Sequence, residues 1–93
     1  MVYAYAKLTV TNPESLAAYR DKAGPALARY GGKVEQASRE TIALDGAPDL
    51  PDVAAILSFP DRASAEGWIN DPNLADVHDL RRNAGGSDIV LLG

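Results

Sequence analysis

The chain has 93 residues, a length that fits one domain over residues 1–93. A domain this short has a small core, and pairing of two copies is a common way to stabilise it. Its 46% hydrophobic content is that of a folded globule, and its net charge of −4 argues against nucleic acid as the main partner. The lack of cysteine excludes disulfides and thiolate chemistry and fits a reducing, cytoplasmic location, and no apolar run is long enough to predict a signal peptide or a membrane span.

The first predicted element is a strand over residues 2–10. Small apolar and larger side chains alternate along it, and a period of two is typical of a strand with one face on a core. The other face carries Tyr3, Tyr5 and Lys7, an unusual combination for a surface open to water. This face is either a solvent-facing surface with aromatic cross-strand pairs, or the lining of a cavity or of a seam between two copies.

Residues 12–32 have the features of a helix that packs on the sheet. Asn12 can cap its free N–H groups, and a proline follows in the first turn. The inward positions recur near a spacing of 3.6 and are Leu16, Tyr19, Ala23, Leu27 and Tyr30. Pro25 removes a backbone hydrogen bond and predicts a kink, and a Gly-Gly pair predicts the end of the helix.

Two further strands are predicted in the middle of the chain. Residues 33–44 have strand character with mixed periodicity, which a β-bulge or a long twisted strand would explain. Residues 45–52 form an acidic connector with turn chemistry. Residues 53–59 are almost continuously apolar, a pattern that predicts a central strand buried on both faces.

Residues 61–82 predict a helix that is broken once, at Asp71, where a proline follows. We expect this stretch to lie across the sheet as one wall of a cavity, with Asp71 capping the second part. It holds the only tryptophan and the only histidine of the chain, Trp68 and His78. After a Gly-Gly pair, residues 87–92 predict the last strand.

The order of these elements predicts an α+β, ferredoxin-like fold. A β-α-β-β-α-β order gives a four-stranded antiparallel sheet with both helices on one face. Two such sheets can meet face to face, which would bury the side that carries Tyr3 and Tyr5. The predicted architecture is therefore a sheet covered by helices on one side and by a second copy on the other.

Short segments spread over almost the whole chain resemble one known family. They are, in order, Tyr19-Arg20, Tyr30-Gly31-Gly32-Lys33, Phe59-Pro60-Asp61, Trp68-Ile69-Asn70-Asp71-Pro72, Leu80-Arg81 and Ile89-Val90-Leu91. Their order and spacing are similar to those of family 1330 of the domains of unknown function, which belongs to the dimeric α/β barrel superfamily. The resemblance implies a ferredoxin-like monomer whose sheet packs on a partner's sheet and leaves a cavity, and it implies no activity.

Two details of the resemblance concern ligands. Family members often carry an Arg-Gly-Gly run in the second strand, and this chain has Ala37-Ser38-Arg39 at the matching positions, which leaves Arg39 as the ligand-binding candidate there. Haem-degrading members of the superfamily have a Trp and a His ten residues apart on the helical segment, and Trp68 and His78 have that spacing. The resemblance therefore adds haem binding as a third and weaker hypothesis.

The helical segment supplies three candidate site residues. His78 is the acid–base candidate, because an ordinary histidine pKa lies near neutrality, but the same residue would also suit a half-exposed surface. Arg81 can clamp a carboxylate with its planar fork, or it can simply offset the negative end of the helix dipole. Trp68 can be a core residue or a flat wall for an aromatic ligand.

Tyrosines supply the remaining candidates. Tyr3, Tyr5 and Tyr19 can donate hydrogen bonds into a cavity, although tyrosines also fill seams between sheets. The sequence has no Gly-rich phosphate loop and no Ser-His-Asp set, and a single His without Cys predicts no metal site. We expect no cofactor.

Two functions from different classes fit these features. The first is a cofactor-independent enzyme of the isomerase, cyclase or monooxygenase type, acting on a small aromatic or carboxylate molecule. In it His78 is the base, Arg81 the anion clamp and Tyr19 an orienting donor. The second is a non-catalytic homodimer that binds a small hydrophobic acid or serves as an interaction module. Both predict a homodimer, and neither predicts nucleic acid or a membrane as a partner.

Overall fold

The structure, a computed structural model, describes residues 1–93 and has the predicted β-α-β-β-α-β order. The strands are β1 (Val2–Leu8), β2 (Lys33–Ser38), β3 (Val53–Phe59) and β4 (Ser87–Leu92). The helices are α1 (Pro13–Ala28), α2 (Arg62–Asn70) and α3 (Ala75–Asn83), and a 3₁₀ turn (Pro72–Leu74) separates the last two. The predicted α+β, ferredoxin-like fold is confirmed. None of these helices is both long and apolar enough to span a lipid bilayer.

The four strands form one antiparallel sheet in the order β2-β3-β1-β4. Alternation along β1 turns one set of its side chains toward the helices, where they are buried: Ala4, Ala6 and Leu8. The core lies in this layer, with Leu27 of α1 and Phe59 of β3 each 1% exposed. A hydrogen bond from the Ser15 hydroxyl to the Leu80 carbonyl oxygen, 2.7 Å long, ties α1 to α3 across this layer.

The other side of the sheet, here called the open face, has no cover within one protomer. It is formed by Tyr3, Tyr5, Lys7, Ile56, Val90 and Leu92. Tyr5 sits between Ile56 of β3 and Val90 of β4 in the strand register, so the middle of this face is apolar. Val90 is 56% exposed and Leu92 is 60% exposed, values that leave a broad apolar surface in contact with water.

The second strand is shorter than predicted. The predicted bulge is present between Val34 and Gln36, but β2 ends at Ser38 instead of continuing to residue 44. Residues 39–52 form no helix or strand. Ser38 pairs with Ala54, and β3 begins at Val53, so the residues that follow Ser38 have no partner strand.

Three smaller expectations also differ from the structure. β1 ends at Leu8, because the Val10 N–H donates to the Asp52 carboxylate (2.8 Å) rather than to a neighbouring strand. α1 includes Pro25, where the kink stays a prediction, and ends at Ala28 rather than near residue 32. β3 is not buried on both faces along its whole length: Leu57, Ser58 and Phe59 are buried, whereas residues 53–56 are half-buried.

The turn between α3 and β4 has no space for a side chain at Gly85. Its φ is +148°, and a Cβ there would lie 1.8 Å from the Thr9 carbonyl oxygen. We expect Gly85→Ala to lower the free energy of unfolding by about 3 kcal/mol or more, measured by urea denaturation. The adjacent Gly86 is the matched control, since a Cβ there meets Thr9 at an ordinary 3.5 Å and Gly86→Ala should change stability by less than about 1 kcal/mol. Equal stability of the two variants would contradict this turn geometry.

Candidate functional site

A cavity of about 330 Å³ lies between the helix-facing side of the sheet and the helices. Its lining comes from all four strands and from α1 and α3. Apart from Tyr19, Arg20 and Arg81, the lining consists of aliphatic side chains and one glycine, Gly24. A concave apolar space with a few polar groups is typical of small-molecule sites, and its size falls at the lower end of their range.

Arg81 is the one buried charged residue of this cavity wall, with 3% of its surface exposed. Its Nε donates to the Ser87 hydroxyl at 3.0 Å, and its Nη1 donates to Nδ1 of His78 at 2.8 Å. Nη2 has no protein acceptor. Because Trp68 Nε1 is the only enclosed side-chain nitrogen or oxygen without a partner, Nη2 is not fully enclosed, and Arg81 is among the residues that line the cavity.

Two aromatic rings flank the guanidinium of Arg81. Its central carbon lies 5.5 Å from the centre of the Tyr19 ring and 5.4 Å from that of Trp68. None of the four ion pairs of the chain includes Arg81. A buried cation without a carboxylate is costly, and the rings and hydrogen bonds offset only part of that cost. The result is a fixed positive group that an anion entering the cavity can neutralise.

His78 is buried beneath Arg81 and does not line the cavity. Its Nε2 lies 2.9 Å from the Trp68 carbonyl oxygen, and its ring packs edge-on against the Trp68 indole at 4.7 Å. An arginine can only donate and a carbonyl can only accept, so Nδ1 must be the acceptor and Nε2 must carry the proton. The imidazole is neutral, and both of its nitrogens are used within the protein.

Burial is the main cause that lowers the pKa of His78, and the positive charges of Arg81 and Arg82 lower it further. The hydrogen bond to the Trp68 carbonyl and the charge of Asp79 oppose this shift. A neutral histidine with no free nitrogen cannot take a proton from a molecule in the cavity. Neither the predicted base role nor iron ligation has a geometric basis in this arrangement.

The structure separates the other predicted site residues from one another. Tyr19 lies in the cavity wall beside Arg81. Tyr3 and Tyr5 lie on the open face, on the opposite side of the sheet, because neighbouring residues of a strand point to opposite faces. A ligand between sheet and helices therefore cannot contact these two tyrosines, while a role in a seam between two copies stays open to them.

Trp68 and Arg39 also lie outside the main cavity. Trp68 is 3% exposed and packs in the core, where it borders a smaller cavity of about 140 Å³. Arg39 is exposed on the connector after β2, in a shallow depression that it shares with Arg20. Arg20 also borders the main cavity, so it stands at the edge where this exposed basic surface meets the apolar interior.

Two contributors to the site were missed in the sequence. Ser87 holds Nε of Arg81, although it follows a turn and belongs to the next strand. Arg20 was quoted only as part of a motif. The link between His78 and Arg81 did have a sequence signal, because residues three apart on a helix are neighbours.

The junction that carries the site is fixed by Asp71. Its side chain accepts from the Asn73 N–H at 2.8 Å, as a helix-capping residue does, and from the Tyr30 hydroxyl at 2.7 Å. The Tyr30 bond lowers the pKa of Asp71 and raises that of Tyr30. The predicted break at this position is confirmed, and it lets α3 change direction so that His78 and Arg81 reach the interior. No cluster of three or more potential metal ligands is present.

Comparison with known structures shows the same fold in several proteins. A protein of unknown function from Rhodopseudomonas palustris is 24% identical, with a TM-score of 0.75 over 98% of this chain and 79% of the other. SnoaB, a cofactor-independent oxygenase from Streptomyces nogalater, is 14% identical, with a TM-score of 0.67 over 99% of this chain and 90% of the other. An uncharacterised NIPSNAP domain protein from Burkholderia xenovorans is 16% identical, with a TM-score of 0.64 over 100% and 93%.

These likenesses show a shared fold and, at such low identity, nothing finer. No protein with a curated description matches the sequence. The model of one family, described as a domain of unknown function (DUF1330), matches residues 1–93. The match spans every element of the sheet and helices described above, and the chain belongs to the DUF1330 family.

Proposed function

We propose that this protein binds a small, largely apolar molecule with one acidic oxygen, such as an aromatic carboxylate or phenolate, in the cavity beside Arg81. The observation that carries this proposal is a guanidinium that is almost fully buried, lacks a carboxylate partner, leaves Nη2 without a protein acceptor and belongs to the cavity wall. A charge-assisted hydrogen bond is strong in a water-poor environment. The aliphatic wall would hold the rest of the molecule.

The size of the cavity limits the ligand. A water molecule occupies about 30 Å³ in the liquid, so 330 Å³ is roughly the volume of eleven waters. Covalently bonded atoms pack more densely than waters, and a two-ring aromatic acid of about a dozen non-hydrogen atoms is a suitable probe. Naphthalene carboxylate (naphthoate) has this shape, and naphthalenemethanol is its neutral counterpart.

The same proposal includes a homodimer joined through the open face. The middle of this face is apolar, and the family resemblance implies a sheet that packs on the sheet of a partner. Apolar side chains removed from water by pairing stabilise the dimer by about 25 cal/mol per Å². Tyr3 and Tyr5 would then lie in the seam between the copies rather than against the ligand.

A second candidate function is cofactor-independent oxygenation of the bound anion. Arg81 favours the ionised form of an acidic phenol or enol, and such an electron-rich anion can react with dioxygen without a cofactor. With His78 fully hydrogen-bonded, Tyr19 and Arg20 are the only other polar groups on the wall, so the substrate would have to be acidic by itself. The fold shared with a cofactor-independent oxygenase supports this candidate, and oxygen uptake with an electron-rich two-ring phenol, 1,4-dihydroxynaphthalene, as the probe tests it.

Thermal unfolding with the matched probes tests the binding proposal. A ligand at ten times its Kd stabilises the folded state by about 1.4 kcal/mol, which raises the midpoint by roughly 6–11 °C for a domain of this size. We expect naphthoate to give this shift at a lower concentration than naphthalenemethanol. Ala55→Leu, which fills part of the cavity without touching Arg81, should weaken both probes alike. Equal affinity for the acid and the alcohol would refute an anion site.

A further inference from the structure

We infer that His78 is the positioning residue for Arg81, and that a proton on its imidazole releases the guanidinium and turns off anion binding in the cavity. The inference concerns regulation of the proposed site, and the part of it that concerns ligand binding rests on the proposed function. The contact between the two side chains can be tested without any ligand. It is carried by the hydrogen bonds around the imidazole, which leave no place for a second proton.

The first step is the direction of each hydrogen bond. The Trp68 carbonyl takes the proton of Nε2 at 2.9 Å, and Nδ1 accepts from Nη1 of Arg81 at 2.8 Å. If Nδ1 were protonated, two N–H groups would face each other across that 2.8 Å and two positive groups would be in contact. Arginine remains charged at any pH of interest, so it cannot adapt by losing its own proton. The contact must therefore break when His78 becomes charged.

The second step is the set of charges around His78. On its own helix these are Arg81, Arg82 and Asp79, and across the α2–α3 junction the charge of Asp71 acts on it. Asp79 forms an ion pair with Arg82 at 3.8 Å, and Asp71 accepts a hydrogen bond from the Tyr30 hydroxyl at 2.7 Å. Neither carboxylate hydrogen-bonds to the imidazole. No nearby carboxylate is placed to accept a hydrogen bond from the protonated Nδ1.

The third step is what holds Arg81 once this contact is lost. Ser87 still accepts from Nε at 3.0 Å, and the rings of Tyr19 and Trp68 still flank the guanidinium. One hydrogen bond to a flexible hydroxyl does not fix a planar fork against repulsion from a charged neighbour. The cavity lies beside the guanidinium, and movement into it or toward its edge is the open route.

The direction of the pH effect follows from the surroundings of His78. Burial and two arginines lower the pKa of His78 below its ordinary 6.5, so the release occurs only below pH 6.5. The unfolded chain binds this proton more readily than the folded one. The contribution of His78 to the free energy of unfolding is therefore fully present above pH 6.5 and is lost as the pH falls through the lower pKa of the folded state.

NMR of the nitrogen-15-labelled protein tests the contact directly, because His78 is the only histidine in the chain. At pH 8 the imidazole nitrogens should show a proton on Nε2 and an acceptor at Nδ1. As the pH falls, the protected guanidinium signal of Arg81 should disappear at the pH where the imidazole takes its proton, while the backbone amide spectrum stays folded. An Arg81 signal that persists after His78 is charged would overturn the inference, as would a neutral imidazole with its proton on Nδ1.

Two variants at His78 separate the loss of its hydrogen-bond acceptor from the change in its charge. His78→Asn can retain an oxygen near the position of Nδ1 but cannot be charged, so the protected Arg81 signal should persist down to mildly acidic pH. His78→Leu removes the acceptor at similar volume, so the signal should be absent at every pH at which the variant is folded. A protected signal in the leucine variant would show that Arg81 needs no support from His78.

Binding of the matched probes is compared above about pH 5, where a carboxylic acid with a pKa near 4 stays ionised. In the wild type the affinity for naphthoate should fall at least about tenfold across the His78 titration, and that for naphthalenemethanol less than twofold. The asparagine variant should show no such fall. A fall of equal size for both probes would point to loss of the cavity and contradict the switch. If naphthoate does not bind but the NMR result is as expected, the proposed function is wrong and the inferred contact between His78 and Arg81 is still supported.

Discussion

Replacing Arg81 by methionine is expected to weaken the binding of naphthoate by roughly 30- to 1,000-fold. The physical reason is loss of a buried, charge-assisted hydrogen bond, whose removal costs about 2–4 kcal/mol in binding, while methionine retains most of the length and apolar volume of arginine. Binding of naphthalenemethanol should change less than about threefold, because its contacts are with the aliphatic wall. Fluorescence titration of both probes measures the two effects on the same protein.

Arg82 provides the matched control for this experiment. It is the next residue on α3, but it is exposed and paired with Asp79 at 3.8 Å instead of lining the cavity. Arg82→Met should leave both affinities unchanged within about twofold, because an exposed pair contributes little. Arg81→Lys keeps the charge but not the fork that reaches both Ser87 and His78, and an intermediate loss is expected. Undiminished naphthoate binding by Arg81→Met would exclude Arg81 as the anion site.

An aspartate at Val90 is expected to convert the protein from a dimer to a monomer at micromolar concentration. Val90 is 56% exposed in one protomer and lies beside Tyr5 in the middle rows of the open face. In a symmetric dimer each substitution acts twice, and burying two unpaired carboxylates would cost several kcal/mol. A loss of about 4 kcal/mol is close to a thousandfold in the dimer dissociation constant. Sedimentation velocity over a dilution series measures it.

Leu50 offers a control of similar exposure away from the sheet. It is 51% exposed on the connector between β2 and β3, so Leu50→Asp introduces the same charge into a loop. This variant should sediment as the wild type does. A wild-type protein that is a stable monomer at micromolar concentration would rule out the open face as a dimer seam, and so would a Val90→Asp variant that still dimerises.

The two experiments address different sides of the same sheet. Val90 lies on the open face, whereas Arg81 reaches the cavity from the helix side. We therefore expect Arg81→Met to leave the dimer intact. The same separation explains why the tyrosines of β1 were misleading as ligand contacts, since their strand has the cavity on its other side.

Much of the fold was accessible from local sequence patterns. The alternation along β1, the capping residues Asn12 and Asp71, and the Gly31 turn with its φ of +67° all have local causes that the structure shows at the predicted positions. Secondary-structure order then restricts the topology, because a split β-α-β arrangement places the helices on one face. The lengths of the strands and helices were harder to predict from the sequence. β2 ended early because pairing with β3, and not strand propensity, sets its length.

The candidate site was accessible only in part. Cationic and aromatic candidates on residues 61–82 could be named, but a sequence does not show whether His78 points outward or inward. The hydrogen bonds that decide its role join it to the Trp68 carbonyl, ten residues away, and to Arg81. Backbone carbonyls carry no sequence signal, since every residue has one.

The sequence by itself determined the element order, the two faces of each strand and the positions of the caps and breaks, because these depend on contacts within a few residues. Only the tertiary structure decided which groups share a cavity. Docking α3 on the sheet brought Arg81 between Tyr19 and Trp68 and within reach of Ser87. How deeply a helix packs on the sheet depends on the volumes of the side chains beneath it. In this protein that depth buries His78, which therefore supports Arg81 and does not act as a free base.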